Sequence, residues 1–189
     1  KMDALSSMAN IAGYRSVKRF SAIDLDGSPF PLHYTEGSQD LDQTSHELQA
    51  TGETFGGKVS FAIGGFYFTE EGVDSSLSIT APNFLPTNSL YSGTIDNKSQ
   101  GVYGQATWRA TDELSITGGL RYSEEEKGLL TNNRAQDRAT GAIDCMFAAT
   151  TPGLSPAPDC GITRSDTFDG VSYTFGVDYR LTPDVLVYA

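Results

Sequence analysis

The chain has 189 residues, a formal net charge of −11 and a hydrophobic content of 38%. This acidic balance excludes nucleic acid as a partner, because a phosphate backbone is bound by a basic surface and the sequence has no basic stripe. No run of about eighteen apolar residues is present, so the sequence predicts no transmembrane helix.

Two extended stretches are predicted in the first third of the chain. Residues 8–25 favour extension, although their alternation of apolar and polar residues is imperfect. Residues 26–29 (DGSP) then break this extension. Residues 24–27 (DLDG) resemble the start of a calcium loop, but the other ligands of such a loop are absent, so we predict a turn in which the aspartates bond to their own backbone. A polar segment continues to about residue 39, and the alternation resumes at residues 44–53.

A third strand and a long loop are predicted next. A glycine-rich turn at residues 55–57 (FGG) leads into residues 59–69, where apolar side chains recur at every second position. This period of two is the signature of a strand with one apolar face. Residues 72–93 contain two prolines, two asparagines and many serines, a composition typical of a loop.

The clearest pattern is a hairpin between residues 99 and 127. Residues 102–110 and 114–123 both alternate, and residues 111–113 (TDE) join them as a short polar turn. Each run has about ten residues, whereas globular strands usually have about five or six. Alternating strands of about ten residues with short turns are typical of membrane-spanning β-strands.

The remainder of the chain continues this arrangement. Residues 128–164 predict the longest loop, residues 165–181 alternate cleanly, and residues 182–184 (TPD) turn into a last strand. Long and short connections therefore follow each other in strict order, which places all short turns at one end of the sheet. The sequence predicts an all-β fold: part of an antiparallel up-and-down transmembrane β-barrel, with about seven strands of a larger barrel.

The chain resembles the barrel of a TonB-dependent outer-membrane receptor of the proteobacterial type. Four segments carry this resemblance: ANIAGYRSVKRFSAIDLDGSPF at 9–30, ELQATGETFGGKVSFAIGGFYFTEE at 47–71, GVYGQATWRATDELSITGGLRYSEEEKG at 101–128, and GVSYTFGVDYRLTPDVLVYA at 170–189. The resemblance implies a barrel of 22 strands around a plug domain. It also implies energised uptake of a scarce ligand, such as a ferric siderophore, driven by the TonB energy-transducing complex. We expect residues 1–189 to be a partial barrel domain, with the plug and the remaining strands outside this chain.

Candidate functional residues are few. Arg109 and Arg121 should point into the lumen, because an arginine facing lipid at the midplane costs about 2–4 kcal/mol. Phe66 and Phe68 lie on the otherwise small or polar face of their strand and are further lumen-facing candidates, for contact with a ligand or the plug or for packing against a loop. Two cysteines in the longest loop are candidates for a disulfide, with free thiols as the alternative. These are Cys145 and Cys160.

No catalytic, cofactor or metal site is predicted. The two histidines are isolated, and no serine or cysteine stands in a nucleophile motif. Besides the ligand and TonB, the expected partners are outer-membrane lipid and lipopolysaccharide. Glutamates at 70–71 and 124–126 predict a solvated rim, with cation-bridged lipopolysaccharide as the alternative. Two other functions stay open: a passive porin-like channel and a secreted β-sandwich binding module.

Overall fold

The computed structural model describes residues 5–81 and 83–189, which form one antiparallel sheet. Its strand order is β1-β2-β3-β4-β5-β7-β8, with the short β6 paired to the end of β5. No helix in this part of the chain has the length and apolar character needed to cross a membrane. The strands are β1 (Leu5–Asp24), β2 (His33–Thr54), β3 (Val59–Thr80), β4 (Thr87–Arg109), β5 (Leu114–Asp137), β6 (Ile143–Cys145), β7 (Gly161–Thr182) and β8 (Val185–Tyr188).

The long loops of the structure are shorter than the sequence predicts. Residues 33–39, 72–80, 87–93, 128–137 and 161–164 were expected in loops and instead continue the strands. The loop prediction was therefore wrong over about half of its length, although long and short connections alternate as predicted. The connections between β2 and β3, β4 and β5, and β7 and β8 are the short ones and share one end of the sheet, which we call the lower end.

The sheet has a single layer. Among the described residues, the buried apolar side chains are Cys160 and Ile162, and large side chains such as Tyr173 (83% exposed) and Phe175 (70% exposed) lie open. A β-sandwich requires a second sheet packed about 10 Å away. The described residues form no such second sheet, so the sandwich alternative does not fit this architecture.

Apolar residues form a band across one face of the sheet. The strand register aligns them in rows: Trp108 pairs with Ile116, which pairs with Val177, and Leu120 pairs with Tyr173 two rows above. On β5 the band extends from Leu114 to Tyr122, about 26 Å along the strand, which a tilt of about 40° reduces to about 20 Å. This approaches the apolar band of about 25 Å on the outside of a membrane barrel. We call this side the apolar face and the opposite side the polar face.

The strands continue far above the apolar band. β5 runs 15 residues beyond Tyr122 to Asp137 and stays paired with β4 to the end of that run. In this upper part polar and charged side chains occupy both faces, as in the facing serines Ser38 and Ser75 (Oγ to Oγ 2.8 Å). A wall that stands in water needs no apolar face, which explains why the alternation fades there.

Candidate functional site

The polar face carries all four residues predicted to face a lumen. Phe66 and Phe68 on β3 alternate with the apolar-face residues of that strand, and Arg109 and Arg121 do so on β4 and β5. Phe66, Phe68 and Arg121 line one cleft of about 490 Å³, which extends upward from the level of the upper part of the apolar band. Arg109 lies apart, at the lower end, where its Nη2 is 3.4 Å from Glu53 Oε1.

Two aromatic rings cross the neighbouring strand where that strand has a glycine. Phe66 pairs with Gly101, and Tyr103 pairs with Gly64. A Cβ atom on Gly101 would lie 2.5 Å from Phe66 Cε1, and one on Gly64 would lie 2.5 Å from the Tyr103 hydroxyl. Glycine is therefore required at both positions for the rings to lie flat on the sheet. We call these four residues the glycine clasp.

The clasp carries polar groups across the sheet. The Tyr103 hydroxyl donates to Glu47 Oε1 (2.6 Å) and accepts from Gln49 Nε2 (3.0 Å), which joins β4 to β2 over the intervening β3. In the other direction, the Phe66 ring reaches toward β5, where the guanidinium carbon of Arg121 lies 4.5 Å from its centre. Such a cation–π contact fixes the plane of the guanidinium.

Most charged groups in the cleft have partners. Glu70 accepts hydrogen bonds from Gln43 and from Asn97 Nδ2 (2.9 Å), and Lys127 Nζ lies 3.3 Å from Glu125 Oε2. Two cations of the cleft, Arg121 and Lys98, form no ion pair with any carboxylate in the described part of the chain. Of these two, Arg121 is held by a hydrogen bond from its Nε to Ser123 Oγ (2.9 Å). The cleft therefore contains a cation, the Arg121 guanidinium, that is held in position and still has N–H donors available for a ligand.

Sequence reasoning missed Tyr103, Glu47 and the two clasp glycines. Their spacing within each strand is ordinary, and a glycine on a small or polar strand face carries no signal by itself. An aromatic residue opposite a glycine would have been informative, but this pairing appears only once the register of β3 and β4 is known.

Replacing Gly101 with valine should destabilise the barrel by about 1–3 kcal/mol, the usual cost of overpacking. The added side chain would meet both the Phe66 ring and the Tyr122 carbonyl oxygen, 2.7 Å from the Cβ position. The measurement is the urea unfolding midpoint of the complete protein in detergent. Gly118→Val is the matched control, because a Cβ there meets nothing within 4 Å. Equal losses in the two variants would contradict the clasp.

The cysteine pair lies in the connection between β5 and β7. Cys145 and Cys160 form a disulfide with a Cα–Cα distance of 5.2 Å. Asn132 Nδ2 also donates to the Asp159 carbonyl oxygen (3.0 Å), which holds the end of this connection against β5. No group of three or more potential metal ligands occurs in the described residues.

Residues 25–32, which join β1 to β2, form a turn organised by Asp26. Its Oδ1 accepts from the Ser28 N–H (2.9 Å), and its Oδ2 accepts from the N–H groups of Leu32 (3.1 Å) and His33 (2.8 Å). The predicted aspartate turn is confirmed. The Ser28 hydroxyl and the backbone N–H of His33 hold the pKa of the Asp26 carboxyl well below its usual range.

This turn should open in acid. The pKa of Asp26 is lower in the folded protein than in the unfolded chain. The ionised Asp26 therefore stabilises the turn fully above its unfolded pKa of about 3.9, and this stabilisation is lost as the pH falls through its folded pKa. Hydrogen exchange of residues 25–32, corrected for intrinsic rates, should be constant from neutral pH to about pH 5 and faster below about pH 4. Asp26→Asn should exchange fast at every pH. A retained pH transition in that variant would contradict the assignment to Asp26, and Asp184→Asn is the control.

The single antiparallel sheet, its apolar band and its long strands define the class of this protein as an outer-membrane β-barrel. The family model for the β-barrel of TonB-dependent receptor-like proteins matches residues 4–189. The chain therefore belongs to the TonB-dependent receptor family, as the sequence predicts. Proteins of this family are outer-membrane transport proteins of Gram-negative bacteria and not enzymes. The predicted location in the outer membrane is thereby confirmed.

A solved structure shows the same fold. The crystal structure of the ferric yersiniabactin uptake receptor FyuA from Yersinia pestis is similar, with a TM-score of 0.69 and 18% sequence identity. The similarity covers 96% of this chain and 24% of that receptor, so the chain spans about a quarter of the receptor's length. No curated protein matches the chain by sequence.

Proposed function

We propose that this chain is part of the wall of an outer-membrane receptor that imports a scarce small-molecule ligand, such as a ferric siderophore. In this proposal residues 1–189 are a partial barrel domain, completed by further strands and a plug outside the chain. The apolar face contacts lipid and the polar face lines the lumen. The observation that carries the proposal is the separation of an apolar band from a polar face that holds a cleft of about 490 Å³.

The partners follow from the family and from the two faces. Energy would come from the TonB complex, which acts through a region outside this chain. Glu71, Glu124 and Glu126 lie on the same side as the apolar band and directly above it, whereas Glu70 and Glu125 lie on the polar face. The first three would stand at the height of the lipopolysaccharide headgroups.

The test is uptake by cells that lack their own iron receptors and produce the complete protein. A panel of ⁵⁵Fe-labelled siderophores is supplied at nanomolar concentration, with and without a protonophore. Energised uptake predicts accumulation of at least one member that stops when the proton gradient collapses. Uptake that continues with the protonophore would support the passive-channel alternative, and no uptake of any member would contradict siderophore import.

A further inference from the structure

We propose that Arg121 forms a subsite for a carboxylate group of a small-molecule ligand, with its guanidinium held in place by Phe66. The inference rests on the proposed uptake function and adds the chemical class that the polar face recognises.

Arg121 stands at the level of the upper part of the apolar band. Its neighbour Leu120 is in the band itself, and its cross-strand partner Tyr103 lies on the polar face. A cation at this depth is costly on the lipid side, and Arg121 instead lies on the polar face, where its side chain is exposed. No carboxylate of the described residues lies within 4 Å of Arg121, in contrast to Arg109 and Lys127. The position therefore favours an anion from outside the sheet.

The guanidinium is held ready for such an anion. One face is stacked on Phe66 at 4.5 Å, and its Nε–H is used by Ser123. The other four of its five N–H donors, which belong to Nη1 and Nη2 at the tip of the guanidinium, remain available. That end matches the two oxygens of a carboxylate, and because stacking already restrains the side chain, little rotamer entropy is lost on binding.

The surface next to Arg121 carries several small polar side chains and one carboxylate, that of Glu47. A second cleft, of about 360 Å³, extends from Arg121 over Gly119 to Ser172, Thr174 and Gln105. Hydroxyl and amide groups can donate to the outer oxygens of a carboxylate. Glu47 also borders this cleft. Its carboxylate lies on β2, on the far side of β3, and accepts a hydrogen bond from the Tyr103 hydroxyl. The arrangement accepts a carboxylate and leaves space for the body of the ligand.

The subsite can be tested without knowing the ligand. Benzoate and benzamide have the same shape and differ in charge, and their binding to the complete receptor in detergent can be measured by saturation-transfer NMR at low salt. We expect benzoate to bind and benzamide to bind at least about tenfold more weakly, the effect of about 1.4 kcal/mol from a charge-assisted pair. Arg121→Gln should abolish this preference, and Arg121→Lys should retain part of it, because lysine has the charge but not the fork.

Arg109→Gln is the matched control. Arg109 lies on the same face but is already paired with Glu53, so its loss should leave the benzoate preference unchanged. Equal binding of benzoate and benzamide to the unmodified receptor would overturn the proposal. A second result would also overturn the proposal: no binding of benzoate, together with a thermal midpoint for Arg121→Gln below that of the unmodified receptor. In that case the carboxylate partner of Arg121 would belong to the protein itself. Ligand binding and the thermal midpoint are equilibrium measurements that do not require energised uptake. The subsite can therefore be disproved while siderophore uptake is observed, and it can be supported when no uptake is observed.

Discussion

Replacing Ala106 with arginine is expected to destabilise the barrel by about 2–4 kcal/mol. Ala106 is exposed on the apolar face and lies in its middle row, paired with Gly118 on β5 and Phe61 on β3. Two further apolar rows lie on either side of it along β5. A guanidinium at this depth would have to remain in hydrocarbon or distort the bilayer to reach water. The measurement is the unfolding free energy of the complete protein in lipid vesicles, from urea titration.

The neighbouring residue provides the control. Gln105 precedes Ala106 on β4, is also exposed, and points to the polar face. Gln105→Arg adds the same charge to the same strand, yet it should change the unfolding free energy by no more than about 0.5 kcal/mol. If the two variants were equally destabilised, or if the order were reversed, the assignment of the two faces would be wrong. The pair therefore tests the orientation of the whole sheet.

Removing the disulfide should have the second large effect. Cys145 and Cys160 are 15 residues apart in sequence, and closing a loop of this length contributes about 3 kcal/mol in the chain-entropy model. The double variant Cys145→Ser/Cys160→Ser should therefore open the connection between β5 and β7. Because this connection lies above the membrane, we expect local opening and no loss of the barrel. Limited proteolysis within residues 138–160 should become much faster, while the barrel keeps its folded mobility on gels.

Chemical reduction provides an independent check. The unmodified protein treated with a thiol reductant should become as sensitive to protease in residues 138–160 as the double variant, and the double variant should not respond to the reductant. Equal protease resistance of the oxidised protein and the double variant would show that contacts such as Asn132 with Asp159 suffice to hold the connection.

Local sequence patterns predicted much of the fold, and they failed where the physical cause of the pattern ends. Residues 102–110 and 114–123 alternate because one side of each strand meets lipid and the other does not, so both strands could be read directly. Residues 128–137 are also strand, but they lie above the apolar band, where no alternation is required. Residues 72–80 keep Val73, Leu77 and Ile79 on one face, yet their serines give this segment the composition of a loop. The serines and asparagines of these two segments are therefore compatible with strand as well as loop. What keeps the segments extended is hydrogen bonding to neighbouring strands.

The candidate site divides in the same way. The sequence by itself determined which face Arg121, Arg109, Phe66 and Phe68 occupy, because parity along a strand fixes the face of every side chain. Only the tertiary structure decided that Arg121 stacks on Phe66 while Arg109 pairs with Glu53. Those contacts join residues 55 and 56 positions apart in the chain, and a shift of the register between strands would change them without altering any local pattern. Pairing register is a property of the assembled sheet, so the glycine clasp and the unpaired cation beside it could be found only there.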